Sequence, residues 1–183
     1  MAFPNILIAI LALLCVYIIL LYNKLVRYKV ESDNAFFQID VQLKRRHELI
    51  PNLVETVKGY MQHERETLQK VVEARGRAMG ATGMKDRLEA EGEIGVGVGR
   101  LLAVWEQYPA LKADQGALRL QEELVTTENR IAYTRGYYND ICANYNTLIR
   151  QFPSNLLAGL MALRAREYFQ AGDAERALPV TKF

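Results

Sequence analysis

The two histidines of this chain, His47 and His63, stand 16 positions apart, and its two cysteines are Cys15 and Cys142. A zinc site takes three or four such ligands at short spacings. The stretch His63-Glu64-Arg65-Glu66-Thr67 opens like a zincin helix but lacks the second histidine, so no structural or catalytic metal is expected. Ser32 and Ser154 are the only serines, and neither sits in a Gly-x-Ser-x-Gly turn that would expose a nucleophile. The carboxylate pairs Glu64/Glu66 and Glu89/Glu91 are two apart, which on a helix points them different ways. The best acid–base candidates are Glu128, Arg135, Tyr138 and Tyr145. They lie with Leu120, Leu124, Ile131, Cys142 and Ile149 at successive steps of 3 or 4 residues, within one apolar stripe. A charge buried alone in such a stripe is costly, so Glu128 and Arg135 must find partners: charged residues of the first helix, or each other through a water. A polar network that sets helix register explains these residues better than a catalytic carboxylate, because a packed four-helix core rarely leaves a substrate pocket. The expectation is a protein that is not an enzyme and holds no cofactor.

The elements that position these residues read as helices throughout. Spacings of 3 and 4 recur, and no stretch alternates with period two over a strand length. Val30, Phe37, Val41, Leu43, Ile50, Leu53, Val54, Val57, Met61, Leu68, Val71 and Val72 mark an apolar stripe of one long helix reaching about Met79. Pro51 lies inside it, where its ring clashes with the His47 carbonyl and removes a hydrogen bond; a kink or short break is expected there. A second helix is expected over about 86–108, with Leu88, Ile94, Leu101, Leu102 and Trp105 inward. Gly92, Gly95, Gly97 and Gly99 weaken its first half, as a frayed helix or a close helix contact; no strand or Lys-Ser/Thr pair supports a phosphate loop. A third helix is expected over about 116–151. A fourth follows over about 155–170, capped by Ser154 or Asn155. The sequence therefore predicts an all-α protein: a membrane anchor over 1–28, an antiparallel bundle of long helices over 29–175, and an apolar tail over 176–183 packed back on the bundle.

The anchor is the clearest element. The first 23 residues carry no charged side chain, and Lys24, Arg27 and Lys29 follow at once. Residues 6–22, including twelve Ile, Leu or Val, make about 26 Å of helix, close to the roughly 30 Å of a bilayer core when Phe3 to Asn5 are added. Nothing basic precedes the run and no small-x-small site follows it, which argues against a cleaved leader. Leu13 and Leu14 stand before Cys15 where lipid modification needs small residues. Basic residues at the C-terminal end alone put the N-terminus outside and the rest inside. The net charge of +2 makes no case for nucleic acid. The densest basic cluster, Lys44, Arg45, Arg46 and His47, lies close to the anchor and reads either as a contact with anionic lipid or as a solvated or ion-paired helix face.

Three blocks carry a resemblance. Gln42-Leu43-Lys44-Arg45-Arg46-His47-Glu48-Leu49-Ile50-Pro51-Asn52-Leu53-Val54 is the first, Tyr108-Pro109-Ala110-Leu111-Lys112-Ala113 the second, and Thr127-Glu128-Asn129-Arg130-Ile131-Ala132-Tyr133 the third. Arg135, Tyr138-Asn139, Tyr145-Asn146 and Phe152-Pro153-x-Asn155 follow in order, and over nearly its whole length the chain resembles the LemA family. The resemblance implies an N-terminal membrane helix with its N-terminus outside, a bundle of long helices on the cytoplasmic side of a bacterial inner membrane, and no established catalytic activity. This chain departs from the family in having Phe36-Phe37 where a Trp usually precedes the Ile-Asp of the first helix, and in its glycine-rich run. The positions expected to carry interaction or an internal polar network are Lys44, Arg45, Arg46, Pro51, Asn52, Glu128, Arg135, Tyr138 and Asn139. The block from Lys44 to Leu53 is either a recognition surface, with Arg45 and Arg46 facing a partner, or a packing surface against the fourth helix. The resulting expectation is a single-pass scaffold or adaptor that contacts the bilayer and a membrane or cytoplasmic protein. A membrane-shaping homo-oligomer is the alternative, though the span lacks a Gly-x-x-x-Gly face.

Overall fold

The computed structural model describes residues 2–169, with side chains from residue 4. Among the described residues every regular element is helical: α1 (Ala2–Val57), a 3-10 turn (Gln62–Glu64), α2 (Arg65–Gly80), α3 (Met84–Trp105), α4 (Pro109–Ala113), α5 (Gln115–Arg150) and α6 (Ser154–Leu160). The chain falls into two compact units, one from Met1–Phe37 and Arg135–Tyr168, the other from Gln38–Thr134 with Phe169.

In the larger unit, α1, α2, α3, α4 and α5 each contribute to one apolar core built around Ile50, Leu53, Val57, Val71, Ile94, Leu101, Trp105, Leu111 and Leu124. Pro51 does not interrupt α1, which runs six residues past it to Val57. The break comes later, where Gly59 weakens the helix and the Val57 carbonyl accepts both the Tyr60 amide (3.0 Å) and the Met61 amide (2.8 Å). The side chain of Met61 then turns into the core, and the expected single helix to Met79 becomes two. The inward register of α1 also differs from the expected stripe. Ala35, Ile39, Leu43, Ile50, Leu53 and Val57 are buried, whereas Val30, Phe37 and Val41 are exposed. Small Ala35 sits on the inward side and bulky Phe37 does not, so side-chain size misled the reading.

The glycine-rich run is helical from end to end. Of its two alternatives, close contact is the one found at Gly97, where a Cβ would lie 2.3 Å from a Val71 methyl. A glycine there lets α3 approach α2 more closely than alanine allows.

In the smaller unit, Leu148 and Ala158 cover Leu25 together with Tyr28, Leu157 and Met161. The expected fourth helix is cut to seven residues, because Ala162 turns to φ 50° and the chain beyond it is irregular to Phe169. Ser154 does not cap α6. It is the first helical residue, and its single hydroxyl proton is shared between the carbonyls of Leu148 (2.6 Å) and Gln151 (2.8 Å). The expected packing of the tail 176–183 lies outside the described residues.

Candidate functional site

The nine sequence-selected positions divide between the units. Arg46 stands on the inward stripe of α1, between Leu43 and Ile50, and is 2% exposed. One guanidinium nitrogen donates to the Glu91 carbonyl oxygen of α3 at 2.9 Å and pairs with that residue's carboxylate. The other reaches the Glu128 carboxylate of α5 at 3.2 Å. His47, the next residue, brings Nε2 to 3.0 Å from the second carboxylate oxygen of Glu91. Neither atom bonds elsewhere, so a proton on His47 Nε2 completes the contact. Burial alone raises the pKa of the Glu91 carboxyl, but the hydrogen bond from His47 and the Arg46 charge outweigh it and hold the group below its ordinary value. The cluster is not fully satisfied: Arg46 Nε and, one turn earlier, Gln42 Oε1 are buried without partners.

The same cluster explains how a proline is accommodated in α1. With no amide at Pro51, the His47 carbonyl loses its helical donor, and Arg75 Nε of α2 donates to it at 2.8 Å. Three helices, α2, α3 and α5, thus converge on two adjacent residues of α1. Around them, Arg87 pairs with Asp40 at 2.7 Å.

Lys44, Pro51 and Asn52 lie on the exposed face of the same helix, with Glu48 and Glu55, and Arg45 is half-buried. Burial of Arg46 leaves Lys44 and Arg45 as the basic side chains of that block available to a partner.

Tyr138, Arg135 and Asn139 belong to the smaller unit. Tyr138 is buried edge-on against Phe36, with ring centroids 5.6 Å apart, so Phe36 fills space beside a tyrosine while Phe37 is exposed. Its hydroxyl donates to the Glu167 carbonyl at 2.9 Å. Asn146 clasps Arg166 from both sides: its amide nitrogen donates to the Arg166 carbonyl (2.9 Å) and its oxygen accepts from the Arg166 amide (2.8 Å). Arg166 in turn pairs with Asp33. Burial, reinforced by the neighbouring Cys142 thiol, pushes the Tyr138 phenol well above its ordinary value, and burial likewise raises Cys142. Both stay protonated at neutral pH and serve as donors. Arg135 and Asn139 are half-buried. Among the described residues, no group of three His, Cys, Asp or Glu side chains is placed to hold a metal ion.

Glu91 is the residue that sequence reasoning missed. It stands three before Ile94 and seven before Val98, both buried, so helical spacing alone puts it inward. Two residues after Glu89 and directly before the glycine-rich run, it reads from sequence only as half of a carboxylate pair.

The LemA family profile matches residues 35–183, the part of the chain that contains the Arg46 cluster and the Tyr138 contacts. This chain belongs to the LemA family. It is 32% identical to Protein LemA of Metamycoplasma hominis over 155 residues, covering 84% of this chain and 71% of that protein. It is also 29% identical to Magnetosome protein MamQ 2 of Paramagnetospirillum magneticum and 28% identical to Magnetosome protein MamQ of Magnetospirillum gryphiswaldense, each aligned over 187 positions, 86% of this chain and 69% of the relative. Ahead of the family region, the part of α1 near the N-terminus is the one stretch among the described residues long and apolar enough to cross a membrane. Its mean hydropathy is 2.8 and none of it is buried in the protein.

Proposed function

We propose that this LemA-family protein is a non-enzymatic, membrane-anchored scaffold that presents a helical module for protein binding at the inner face of a bacterial inner membrane. One observation carries the reading. The exposed apolar residues from Ile6 to Tyr22 and the buried core residues from Ile39 to Val57 belong to the same uninterrupted helix. A bilayer-crossing segment continuous in the chain with a packed core tethers the module to the membrane. Lys24, Arg27 and Lys29 put the N-terminus outside. The Arg46, Glu91 and Glu128 charges are spent on one another, which suits a structural role better than proton transfer to a substrate. Recognition then falls to the outward face of α1, where Lys44 and Arg45 lie near Pro51 and Asn52.

The test is purification of tagged full-length protein in mild detergent, with mass measurement of what accompanies it, against a Lys44→Glu, Arg45→Glu variant. Loss of a co-purifying protein with melting retained supports the reading. An identical set of companions in parent and variant contradicts the assignment of binding to this face, and a mass composed of this chain alone favours self-assembly over an adaptor.

A further inference from the structure

The smaller unit carries an apolar surface that its own core leaves open. α6 packs Ala158 and Leu157 toward Leu25, yet Leu156 and Leu160 are 62% and 85% exposed, and Phe152 just before the helix is 76% exposed. At 100° per residue, Leu156 and Leu160 share one flank of α6, while Asn155 and Gly159 share the other. The exposed half of this short helix is therefore apolar on one side and polar on the other.

Its place in the unit says what covers the apolar flank. Leu25 lies three residues beyond Tyr22, the end of the apolar run, or about 4.5 Å along the helix. α6 is thus held within about one turn of the segment that enters lipid. Exposed cations bracket it: Lys24 and Arg27 stand on either side of Leu25, and Arg150 and Arg164 stand before and after α6. Bulky aliphatic side chains with cations close by are the chemistry of an interfacial contact with anionic lipid.

We propose that Phe152, Leu156 and Leu160 insert into the headgroup–acyl boundary of the leaflet at the C-terminal end of the anchor, giving the protein a second membrane contact. The inference rests on the anchoring reading above, and the experiment separates the two. Full-length protein in a Cys15→Ser background, with buried Cys142 left in place, receives Leu160→Cys, Asn155→Cys or Leu14→Cys. Each is labelled with a nitrobenzoxadiazole fluorophore and reconstituted into phosphatidylcholine–phosphatidylglycerol vesicles carrying a shallow nitroxide lipid. The expected result is blue-shifted emission at residues 14 and 160, with residue 160 quenched by the nitroxide about twofold, and water-like emission at residue 155. Water-like emission at residue 14 overturns both the anchor and this inference. A dry residue 14 beside a residue 160 as wet as residue 155 overturns this inference alone. A dry residue 160 that the nitroxide lipid does not quench also overturns it, because a protein surface then covers α6.

Discussion

The two units solve the problem of buried polarity in opposite ways. The larger places ions at its centre, Arg46 of α1 between Glu91 of α3 and Glu128 of α5, and the His47 imidazole lies 3.0 Å from the Glu91 carboxylate. The smaller uses neutral groups, the Tyr138 hydroxyl and the Asn146 amide, bonded to the main chain of Glu167 and Arg166. The difference follows from what each must hold. Regular helices satisfy their own backbones, so joining them in one register takes side chains that reach across, and paired ions discriminate strongly against misplacement. The irregular segment after α6 has unsatisfied carbonyls and amides, and hydroxyl or amide side chains suit those at little desolvation cost.

Removing one partner in each unit should expose this asymmetry. Glu91→Ala leaves a buried guanidinium and should cost about 3 to 5 kcal/mol in the larger unit. Glu128→Ala should cost less, about 1 to 2 kcal/mol, because the Glu128 side chain is 24% exposed and water can replace it. Acid should weaken the larger unit first. The Glu91 pKa is depressed on folding, so its contribution is complete above the ordinary carboxylate range and is lost as pH falls through the folded value. Trp105, the single tryptophan, is fully buried in this unit and reports the loss by its emission. Acid melting that leaves Trp105 buried while the smaller unit opens would reverse the comparison.

A smaller effect concerns Pro51. Arg75→Met should cost about 1 to 2 kcal/mol in the parent, because the His47 carbonyl then lacks a donor. In a Pro51→Ala background the restored amide bonds that carbonyl and the cost should shrink; equal costs in a double-mutant cycle would show that the Arg75 contact does not compensate for the proline. The smallest effect is expected in the neutral unit, where Tyr138→Phe deletes one hydroxyl and should cost about 1 kcal/mol. A loss as large as that of Glu91→Ala would show that the smaller unit depends on its polar contacts just as heavily.

The helical class and the start and end of α5 were legible because inward positions recur every 3 or 4 residues from Ala117 to Leu148, with Thr127 and Thr134 set among the apolar ones. The need of Glu128 for a basic partner was legible from the cost of burying charge, and the exposed His47 carbonyl from the missing amide of Pro51. The identities of Arg46, Glu91 and Arg75 as partners were not, since they come from helices 28 to 82 residues apart and local spacing carries no record of that pairing. The end of α6 was missed for a different reason. Leu163 to Phe169 is helix-compatible in propensity, yet its backbone bonds to α5 side chains instead.

The central claim is that the block around Arg46 has an inner face that holds the fold and an outer face that is free for binding. Thermal melting of full-length Arg46→Glu and Lys44→Glu in mild detergent, followed by Trp105 emission, tests it most directly. The account predicts that Arg46→Glu, which sets three carboxylates together in the core, loses the cooperative transition. Lys44→Glu should stay within about 0.5 kcal/mol of the parent. Equal, small shifts in both variants would put Arg46 in water and contradict the account.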